Sequence, residues 1–293
     1  MFDIVIIGAG ISGMTAALYA LRAGKSVLIL ESSSFGGQII NSKEIENYPG
    51  VKNIDGFSLM KNLYDQINSY GVNYKNEKVI KLIDSNTIVT ENNTYKAGVI
   101  IIATGLKNKT LGLENESKYV GAGISYCATC DGNFFKGKDV AVVGGGNTAL
   151  EDVIYLSNIV NKVYLIHRRD IFRADSILVD KVKSLNNVEI IYNANIMELI
   201  GDSLLSSIRL DNDKTLDVNG LFVAIGKEPD NSNFSNIVEL DKYGFIISDD
   251  TTTSISNVFV AGDCRTKELR QLITAASDGA IAANKAINYL NNI

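Results

Sequence analysis

Short apolar runs that end at glycine-rich segments recur along this chain. Residues 2–7 lead into Gly8-Ala9-Gly10-Ile11-Ser12-Gly13, a helical spacing of apolar residues follows through residue 21, and a second apolar run at residues 27–30 ends at Glu31. Apolar runs of about four to eight residues bounded by turn signals are typical of buried strands in a parallel sheet. The pattern therefore predicts a unit of strand, tight turn, helix and strand.

The same unit returns later in the chain. Residues 140–143 lead into Gly144-Gly145-Gly146-Asn147-Thr148-Ala149, a helical spacing follows, and the next apolar run at residues 163–166 ends at His167. Gly8 and Gly144 are 136 residues apart, and so are Glu31 and His167. Two units in the same internal register indicate an internal repeat.

Three further apolar runs end at glycine-containing segments, and they predict the later strands of the two domains. They end at Thr104-Gly105, at Gly226 and at Gly262-Asp263, and a helical pattern from about residue 269 to 290 follows the last. The economical fold is α/β, with two Rossmann-like dinucleotide-binding domains and the second inserted into the first. We expect the first domain at residues 1–113 and 241–293, and the second at residues 114–240.

The two glycine turns predict two nucleotide sites. Glycines permit a tight bend and a close backbone approach, so a pyrophosphate can lie on the N-terminus of the following helix. At the end of the second strand, Glu31 lies 18 residues after Gly13. A carboxylate there accepts hydrogen bonds from ribose hydroxyls and repels a 2′-phosphate. The first site therefore suits FAD or NAD.

An arginine cluster occupies the equivalent place in the second unit, which reads His167-Arg168-Arg169-Asp170-Ile171-Phe172-Arg173. Guanidiniums bind phosphate in a bidentate manner, so these arginines favour NADP(H) over a merely solvated basic loop. A flavin is needed to carry electrons from a nicotinamide to sulfur, which leaves FAD for the first site. Asp263 is then expected to bind a flavin hydroxyl, with Arg270 and Gln271 approaching from the following helix.

Cys127 and Cys130 are spaced to close a disulfide across one helical turn. A thiol near a helix N-terminus has a lowered pKa, which favours thiol–disulfide exchange. Asp131 follows directly, and its carboxyl group could protonate a departing thiolate or only cap the helix. Cys264 has no neighbouring partner in the sequence and is expected to be a buried packing residue. These residues together predict a flavin-dependent disulfide reductase.

Composition narrows the function classes. The net charge of −5 and the absence of a large basic cluster argue against nucleic-acid binding. The longest apolar runs fall far short of the roughly 20 residues of a membrane helix. The N-terminus opens directly into a strand without a basic leader, so we expect a cytoplasmic protein. One histidine and no second cysteine pair leave no metal site to expect.

The chain resembles the low-molecular-weight thioredoxin reductases. The matching motifs follow the order of that family from residue 4 to about residue 283, and one departure is Ile11-Ser12, where Pro-Ala is common. The motifs are Gly8-Ala9-Gly10 to Gly13, Phe35-Gly36-Gly37-Gln38, Glu46-Asn47-Tyr48-Pro49-Gly50, Ala103-Thr104-Gly105, Cys127-Ala128-Thr129-Cys130-Asp131-Gly132, residues 144–151, residues 167–174, Ala261-Gly262-Asp263 and Leu269-Arg270-Gln271, continuing to Gly279-Ala280.

The resemblance implies where the cofactors bind. FAD would be held by residues 31–38 and 263–272 with Asn47 and Thr104, and NADPH by residues 146–149 with the arginine cluster. We count as FAD residues Gly8, Gly10, Ser12, Gly13, Glu31, Gly36, Gly37, Gln38, Asn47, Thr104, Gly105, Gly262, Asp263, Arg270, Gln271 and Leu272. We count as NADPH residues Gly144, Gly146, Asn147, Thr148, Ala149, His167, Arg168, Arg169, Arg173 and Gly226.

The resemblance also implies the catalytic roles and the partners. Cys130 would face the flavin, Cys127 would attack the disulfide of thioredoxin, and Asp131 would be the acid. The family is homodimeric, and its NADPH domain rotates about the two chain crossings. Three alternatives stay open: ferredoxin as the electron donor, another dithiol or disulfide partner, and a non-catalytic nucleotide sensor on the same fold. The two cysteines argue against the sensor.

Overall fold

The computed structural model describes residues 1–42 and 44–292. The chain separates into two units, one formed by Met1–Lys107 with Glu228–Ile293 and the other by Asn108–Lys227. The expected boundaries at residues 113 and 241 therefore both lie too late in the chain. The second differs more, because Phe234 and Val238 belong to the apolar core of the first unit together with Val5 and Ile100.

Strands outnumber helices along the chain. The strands are β1 (Phe2–Ile7), β2 (Val27–Glu31), β3 (Asn73–Asn76), β4 (Val79–Asp84), β5 (Thr87–Thr90), β6 (Thr94–Ile102), β7 (Lys107–Asn108), β8 (Ile124–Ser125), β9 (Asp139–Gly144), β10 (Lys162–His167), β11 (Val188–Tyr192), β12 (Ile196–Gly201), β13 (Leu205–Leu210), β14 (Thr215–Asp217), β15 (Gly220–Ala224), β16 (Lys227–Glu228) and β17 (Val258–Val260). The α-helices are α1 (Ile11–Arg22), α2 (Gly56–Ser69), α3 (Glu116–Tyr119), α4 (Ala128–Asp131), α5 (Asn147–Ser157), α6 (Ser176–Lys183) and α7 (Leu272–Asn291). In the described part of the chain, 3₁₀ segments lie at Gly37–Asn41, Gly132–Phe135 and Ser232–Phe234.

The first unit is built on a seven-stranded sheet with the order β3-β2-β1-β6-β5-β4, in which β17 also pairs with β6. Strand β1 is parallel to both of its neighbours, with Ile6 opposite Ile29 and Ile101. Alternate residues of β1 enter different cores, since Ile4 and Ile6 pack on the side of α1 and α7 while Val5 and Ile7 pack on the opposite face. The sheet is therefore covered on both faces, as its uninterrupted apolar runs predict.

Helices α1 and α7 cover one face of this sheet and pack closely against each other. Their contact is made of small residues, which let two helix backbones approach, and these include Ala16, Ala17, Ala20, Ala282, Ala283 and Ala286. A Cβ atom on Gly279 would collide with the backbone carbonyl of Ser12. The spacing of the two helices therefore depends on the absence of a side chain at residue 279.

The second unit contains a parallel five-stranded sheet with the order β11-β10-β9-β15-β8 and a separate antiparallel sheet with the order β12-β13-β14. Here too the sheet separates two cores, with Val142 and Leu165 on the side of α5 and Ala141 and Ile166 on the other. Helix α5 begins at Asn147 and α1 begins at Ile11, in the register of the repeat. The predicted repeat of strand, turn, helix and strand is confirmed.

Within residues 1–42 and 44–292, no helix combines the length and the apolar character needed to span a bilayer.

The close contact of α1 and α7 generates a prediction for stability. We expect Gly279→Ala to lower the free energy of unfolding by about 1–3 kcal/mol, because the new methyl group must displace the backbone of α1. At an unconstrained helical position the same change would stabilise the protein by about 1 kcal/mol. Denaturant unfolding followed by circular dichroism measures the difference. Ser277→Ala, at an exposed position of the same helix, is the control, and a stabilising effect of Gly279→Ala would contradict the argument.

Candidate active site

The first glycine turn connects β1 to α1 and is fixed by contacts with the neighbouring strand. Gly8 has a φ of 106°, and a Cβ atom on it would collide with the carbonyl oxygen of Ala103 at the end of β6. Gly13 is equally constrained, by the carbonyl oxygen of Gly8. Gly10 is different, because no described atom lies within 4 Å of the place of its Cβ. Gly8 and Gly13 are therefore needed for the close packing of the turn, whereas the absence of a side chain at Gly10 leaves open space at the start of the helix.

Glu31 lies at the end of β2 and is bonded into this turn. One carboxylate oxygen accepts a hydrogen bond from the backbone N–H of Ala9 at 2.8 Å, and the other accepts one from the N–H of Ser33 at 2.9 Å. The side chain is only partly buried. The carboxylate thus remains open on one side, where it can accept hydrogen bonds from ribose hydroxyls.

A second loop lies against the same turn. The backbone N–H of Gly36 donates to the carbonyl of Ala9 at 2.8 Å, and a Cβ atom on Gly37 would lie 3.2 Å from the Cα of Gly10. Gln38 follows in the 3₁₀ segment that begins at Gly37 and is exposed. The structure therefore brings the expected residues at 36–38 to the open side of the first turn.

A pocket of about 200 Å³ opens where β1, β2 and β6 end. The expected residues Gly8, Glu31 and Thr104 line it, and so do Lys78 and Val79, which the motifs did not identify. Val79 begins β4, a strand that carries no glycine signal. Only the pairing of the sheet brings it near the cofactor turn.

Asn231 joins the loop at Thr104, which lines this pocket, to the loops at Gly244 and Cys264, and no motif pointed to it. Its side chain is almost completely buried, accepts a hydrogen bond from the hydroxyl of Thr104 at 2.9 Å, and donates to the carbonyls of Gly244 and Cys264 at 2.9 and 2.8 Å. Asn231 therefore holds the ends of β6 and β17 together. The packing prediction for Cys264 is confirmed, since this free thiol is fully buried and burial raises its pKa.

The loop after β17 is held against α1 and α7. Gly262 faces the hydroxyl of Ser12, which would lie 2.5 Å from a Cβ atom at residue 262. The N–H of Gly262 donates to Asp278 of α7 at 3.0 Å. Asp263 follows directly and is partly buried. The expected FAD residues Ser12, Gly262 and Asp263 therefore lie together.

Asp278 is the centre of a buried ion cluster that the motifs did not reveal. Its carboxylate accepts two hydrogen bonds from Arg265 at 2.8 Å and one from Lys267 at 2.9 Å. Burial raises the pKa of Asp278, but the hydrogen bonds from these two cations outweigh it, and the net pKa is lowered. The pKa of Arg265 is raised by the same pairing. The ionised Asp278 thus fixes the Gly262-Asp263 backbone.

The expected residues Arg270, Gln271 and Asn47 meet at the N-terminus of α7, whose first residue is Leu272. The guanidinium of Arg270 donates to the carbonyls of Asp263 and Arg265 at 3.4 and 3.2 Å and stacks over Phe245. Gln271 forms a capping box with Thr274 and accepts a hydrogen bond from Asn47 at 3.2 Å. These side chains order the loop and the helix start.

The second glycine turn, between β9 and α5, repeats the geometry of the first. A Cβ atom on Gly144 would collide with the carbonyl oxygen of Ala224 at the end of β15 and with Ala149. Gly146 faces open space, like Gly10. Thr148 is exposed beside it. Gly226, with a φ of 101°, lies two residues after the end of β15 and also faces open space.

His167, expected at the NADPH site, is placed beneath the turn. His167 is 7% exposed, and its ring occupies the space where Gly145 would carry a Cβ atom and packs on Phe172 with ring centroids 5.1 Å apart. Its Nε2 lies 3.0 Å from the carbonyl oxygen of Ile171. The imidazole therefore supports the loop that follows it.

That loop carries the arginine cluster and is fastened over the glycine turn. The N–H of Arg173 donates to the carbonyl of Gly145 at 2.8 Å, and Asn147 exchanges two hydrogen bonds with Asp175, at 2.8 and 2.9 Å. Arg168, Arg169 and Arg173 are all exposed, and none forms an ion pair with another described residue. Three unpaired guanidiniums beside the turn have the charge and the hydrogen-bond donors that binding of a phosphate group requires.

The cysteine pair lies in the second unit and forms a disulfide. Cys127 precedes the short helix α4, Cys130 is exposed within it, and Asp131 is its last residue. The hydroxyl of Ser125 donates to the Asp131 carboxylate at 2.7 Å. No group of three or more metal-ligating side chains occurs within the described ranges 1–42 and 44–292. The arrangement can exchange disulfides and can supply a carboxyl group next to them.

The two turns fit dinucleotides. Helices α1 and α5 each begin after an extended glycine, Gly10 or Gly146, and neither helix has a side-chain cap at its N-terminus among the described residues. Their first backbone N–H groups are available to an anion, and no Cβ atom blocks the approach. The residues present therefore fit the pyrophosphates of FAD and of a nicotinamide dinucleotide.

Comparisons with known proteins agree with this geometry. The family model for pyridine nucleotide-disulphide oxidoreductases matches residues 2–279. The chain is 38% identical to the thioredoxin reductase of Listeria innocua, over 100% of this chain and 95% of that protein. It is 42% identical to that of Borreliella burgdorferi, over 98% of this chain and 92% of that protein. The crystal structure of Lactococcus lactis thioredoxin reductase, 35% identical, superposes with a TM-score of 0.87 and covers 100% of both chains.

The ion cluster at Asp278 generates a prediction for pH dependence. We expect Asp278→Asn to lower the free energy of unfolding at pH 7 by about 3 kcal/mol, because the buried cations Arg265 and Lys267 lose the carboxylate nearest to them. The folded-state pKa of Asp278 is lowered, so its contribution is full above its unfolded pKa of about 4 and is lost as the pH falls through the folded pKa. Unfolding titrations at several pH values should show the gap between wild type and variant closing in acid.

The control for this experiment is Asp65→Asn, which breaks the exposed pair of Lys61 and Asp65 on α2. An exposed pair contributes about 0–1 kcal/mol, so this variant should differ little from wild type. A gap between wild type and Asp278→Asn that stays constant down to strongly acidic pH would contradict the assigned role.

Proposed function

The chain belongs to the pyridine nucleotide-disulphide oxidoreductase family, and on that premise we propose that it is an NADPH-dependent thioredoxin reductase. Bound FAD would carry electrons from NADPH to the pair Cys127–Cys130, which would pass them to the disulfide of thioredoxin. The observation that carries the proposal is the Cys127–Cys130 disulfide, which shares one unit with an unpaired arginine cluster beside an open glycine turn. Full-length similarity to thioredoxin reductases supports it.

We assign FAD to the first unit. Gly10 and the N-terminus of α1 would receive the pyrophosphate, Glu31 would bind ribose hydroxyls, and Asp263 would bind a hydroxyl of the flavin chain. Bound FAD supplies a carrier that accepts two electrons as a hydride and delivers them to a disulfide. The buried ion cluster and Asn231 hold the loops of this site in place.

We assign NADPH to the second unit, where the arginine loop sets the specificity. Gly146 and the N-terminus of α5 would receive the pyrophosphate, and Arg168, Arg169 and Arg173 would bind the 2′-phosphate. His167 would not contact the nucleotide itself. Its buried ring supports the arginine loop, and its Nε2 faces the carbonyl of Ile171. The loop would therefore be preformed for the phosphate group.

The thiol exchange follows from the cysteine pair in its reduced form. The Cys127 thiolate attacks one sulfur of the thioredoxin disulfide, forming a mixed disulfide and releasing one thioredoxin thiolate. The Cys130 thiolate then attacks Cys127, restores the Cys127–Cys130 bond and releases the second thiolate. The two released thiolates take up the two protons that the enzyme thiols gave up, and Asp131 transfers one of them. Two electrons leave the enzyme and one thioredoxin disulfide becomes a dithiol.

A ferredoxin-dependent enzyme, or a reductase for another disulfide, is the second candidate. It would use the same FAD turn and the same cysteine pair. The arginine cluster favours a nicotinamide dinucleotide with a 2′-phosphate, because its three guanidiniums are exposed and form no ion pair within the described part of the chain. We therefore keep NADPH as the proposed electron donor and thioredoxin as the proposed electron acceptor.

We further propose that the protein is a cytoplasmic homodimer. The similarity to bacterial-type thioredoxin reductases supports the dimer, and the supply of NADPH and the reduction of thiols suit the cytoplasm. Sedimentation equilibrium of the FAD-loaded protein should give twice the mass of one chain at micromolar concentration. A single-chain mass under those conditions would refute the dimer.

An anaerobic titration of the FAD-loaded protein tests the proposed function directly. We expect NADPH to bleach the visible flavin absorbance rapidly and NADH to do so at least about tenfold more slowly, because only NADPH pairs its 2′-phosphate with the arginines. Added oxidised thioredoxin should then restore the absorbance. A flavin that dithionite reduces but NADPH does not would point to another donor, such as ferredoxin. Bleaching by NADPH without reoxidation by thioredoxin would point to another acceptor.

Variants of the arginine loop provide the matched control. In the double variant Arg168→Gln/Arg169→Gln the advantage of NADPH over NADH should fall at least about tenfold, with the rate for NADH nearly unchanged. Arg22→Gln, which removes an exposed arginine at the end of α1, should leave both rates as in wild type. Equal losses for both nucleotides would show that the loop does not read the 2′-phosphate.

A further inference from the structure

We propose that Ser125 is a positioning residue for the thiol exchange, because it holds the Asp131 carboxylate beside the backbone of Cys127. The inference rests on the proposed function and adds a residue that lies outside the Cys127–Asp131 motif. Ser125 is the last residue of β8 and is 5% exposed. It can reach neither thioredoxin nor a cofactor from the surface, so any effect it has on the reaction must pass through its neighbours.

The hydroxyl of Ser125 makes a donor bond and an acceptor bond that connect the two ends of the short helix α4. It donates to the Asp131 carboxylate at 2.7 Å and accepts a hydrogen bond from the backbone N–H of Cys127 at 3.1 Å. The carbonyl of Cys127 lies at 3.3 Å. A hydroxyl has one proton to donate, and the closer, charged acceptor takes it. Asp131 is therefore drawn back toward Cys127.

The position of Ser125 is itself fixed by the sheet. Strand β8 pairs in parallel with β15, with Ser125 opposite Phe222 and Ile124 opposite Leu221, and Ile124 is buried in the core. Helix α4, by contrast, is a single turn, and its backbone bonds run from Asp131 to the carbonyl of Cys127, at 3.2 Å, and from Gly132 to the carbonyl of Ala128. A one-turn helix alone does not fix the direction of its last side chain. The hydroxyl of Ser125 supplies that fixed point.

The consequence concerns the proton transferred during exchange. An acid contributes to the rate only when it lies within hydrogen-bond reach of the group that it protonates. The Asp131 carboxylate takes up a proton from an enzyme thiol and then gives it to the departing thiolate, so its net protonation is unchanged over the cycle. Without the Ser125 hydroxyl, the carboxylate can rotate into solvent and the thiolate leaves with less assistance. Reduction of the flavin by NADPH does not involve this proton.

The test is a double-mutant cycle with Ser125→Ala and Asp131→Asn in the FAD-loaded enzyme. We expect Ser125→Ala to lower kcat with thioredoxin about tenfold, with KM changed less than about twofold and the rate of flavin bleaching by NADPH unchanged. In the Asp131→Asn background, Ser125→Ala should have no further effect, because its target is already gone. Ser125→Thr keeps the hydroxyl and should restore most of the activity.

One control variant tests whether loss of any buried hydroxyl has the same effect, and the wild-type enzyme tests the proposed function separately. Ser207→Ala removes another buried serine hydroxyl of the same unit, one that makes no hydrogen bond with the described residues, and should leave kcat unchanged. Equal losses from Ser125→Ala in both backgrounds, or a normal kcat for Ser125→Ala, would overturn the positioning role. A wild-type enzyme that fails with NADPH or with thioredoxin would instead overturn the proposed function.

Discussion

The contact between a glycine and the carbonyl oxygen of a neighbouring strand organises both units. Gly8 meets Ala103, and Gly144 meets Ala224, in each case with no space for a side chain. Because the turn lies directly on the adjacent strand end, the following helix starts at the edge where parallel strands terminate. Its unsatisfied N–H groups then face the same side as the loops that follow the other strands. Everything that we assign to cofactor binding is arranged around this edge.

The two units use this common scaffold for different chemistry, and the difference lies in the loop after the second strand. Glu31 is hydrogen-bonded into its own turn and presents a carboxylate. At the equivalent place His167 withdraws beneath its turn, and the next residues project arginines outward. Because the imidazole of His167 is buried, the exposed groups at this strand end are the arginines that follow it. In the proposed function, this difference between the two loops is what selects a bare ribose in one unit and a phosphorylated ribose in the other.

Much of the fold was predictable because its signals are local. Apolar runs that close on glycine identified the strands β1, β9 and β17, and the equal spacing of the two turns revealed the repeat. The domain boundaries were predicted less well. Residues 228–240 contain no strong strand or glycine signal, and their assignment to the first unit comes from the burial of Phe234 and Val238. Such a contact joins segments far apart in the chain, and no local pattern encodes it.

The candidate site divides in the same way. The sequence by itself determined the residues whose chemistry is intrinsic: the cysteine pair, the acid beside it, the arginines and the glycine turns. Only the tertiary structure decided which side chains hold them in place. Asn231 joins the ends of β6 and β17. Asp278, which lies on α7 and 15 residues after Asp263 in the chain, fixes the loop at Asp263. Ser125, on the edge strand β8, orients Asp131. Asparagine, aspartate and serine occur widely on protein surfaces, and they acquire these roles only where folding buries them beside a specific partner.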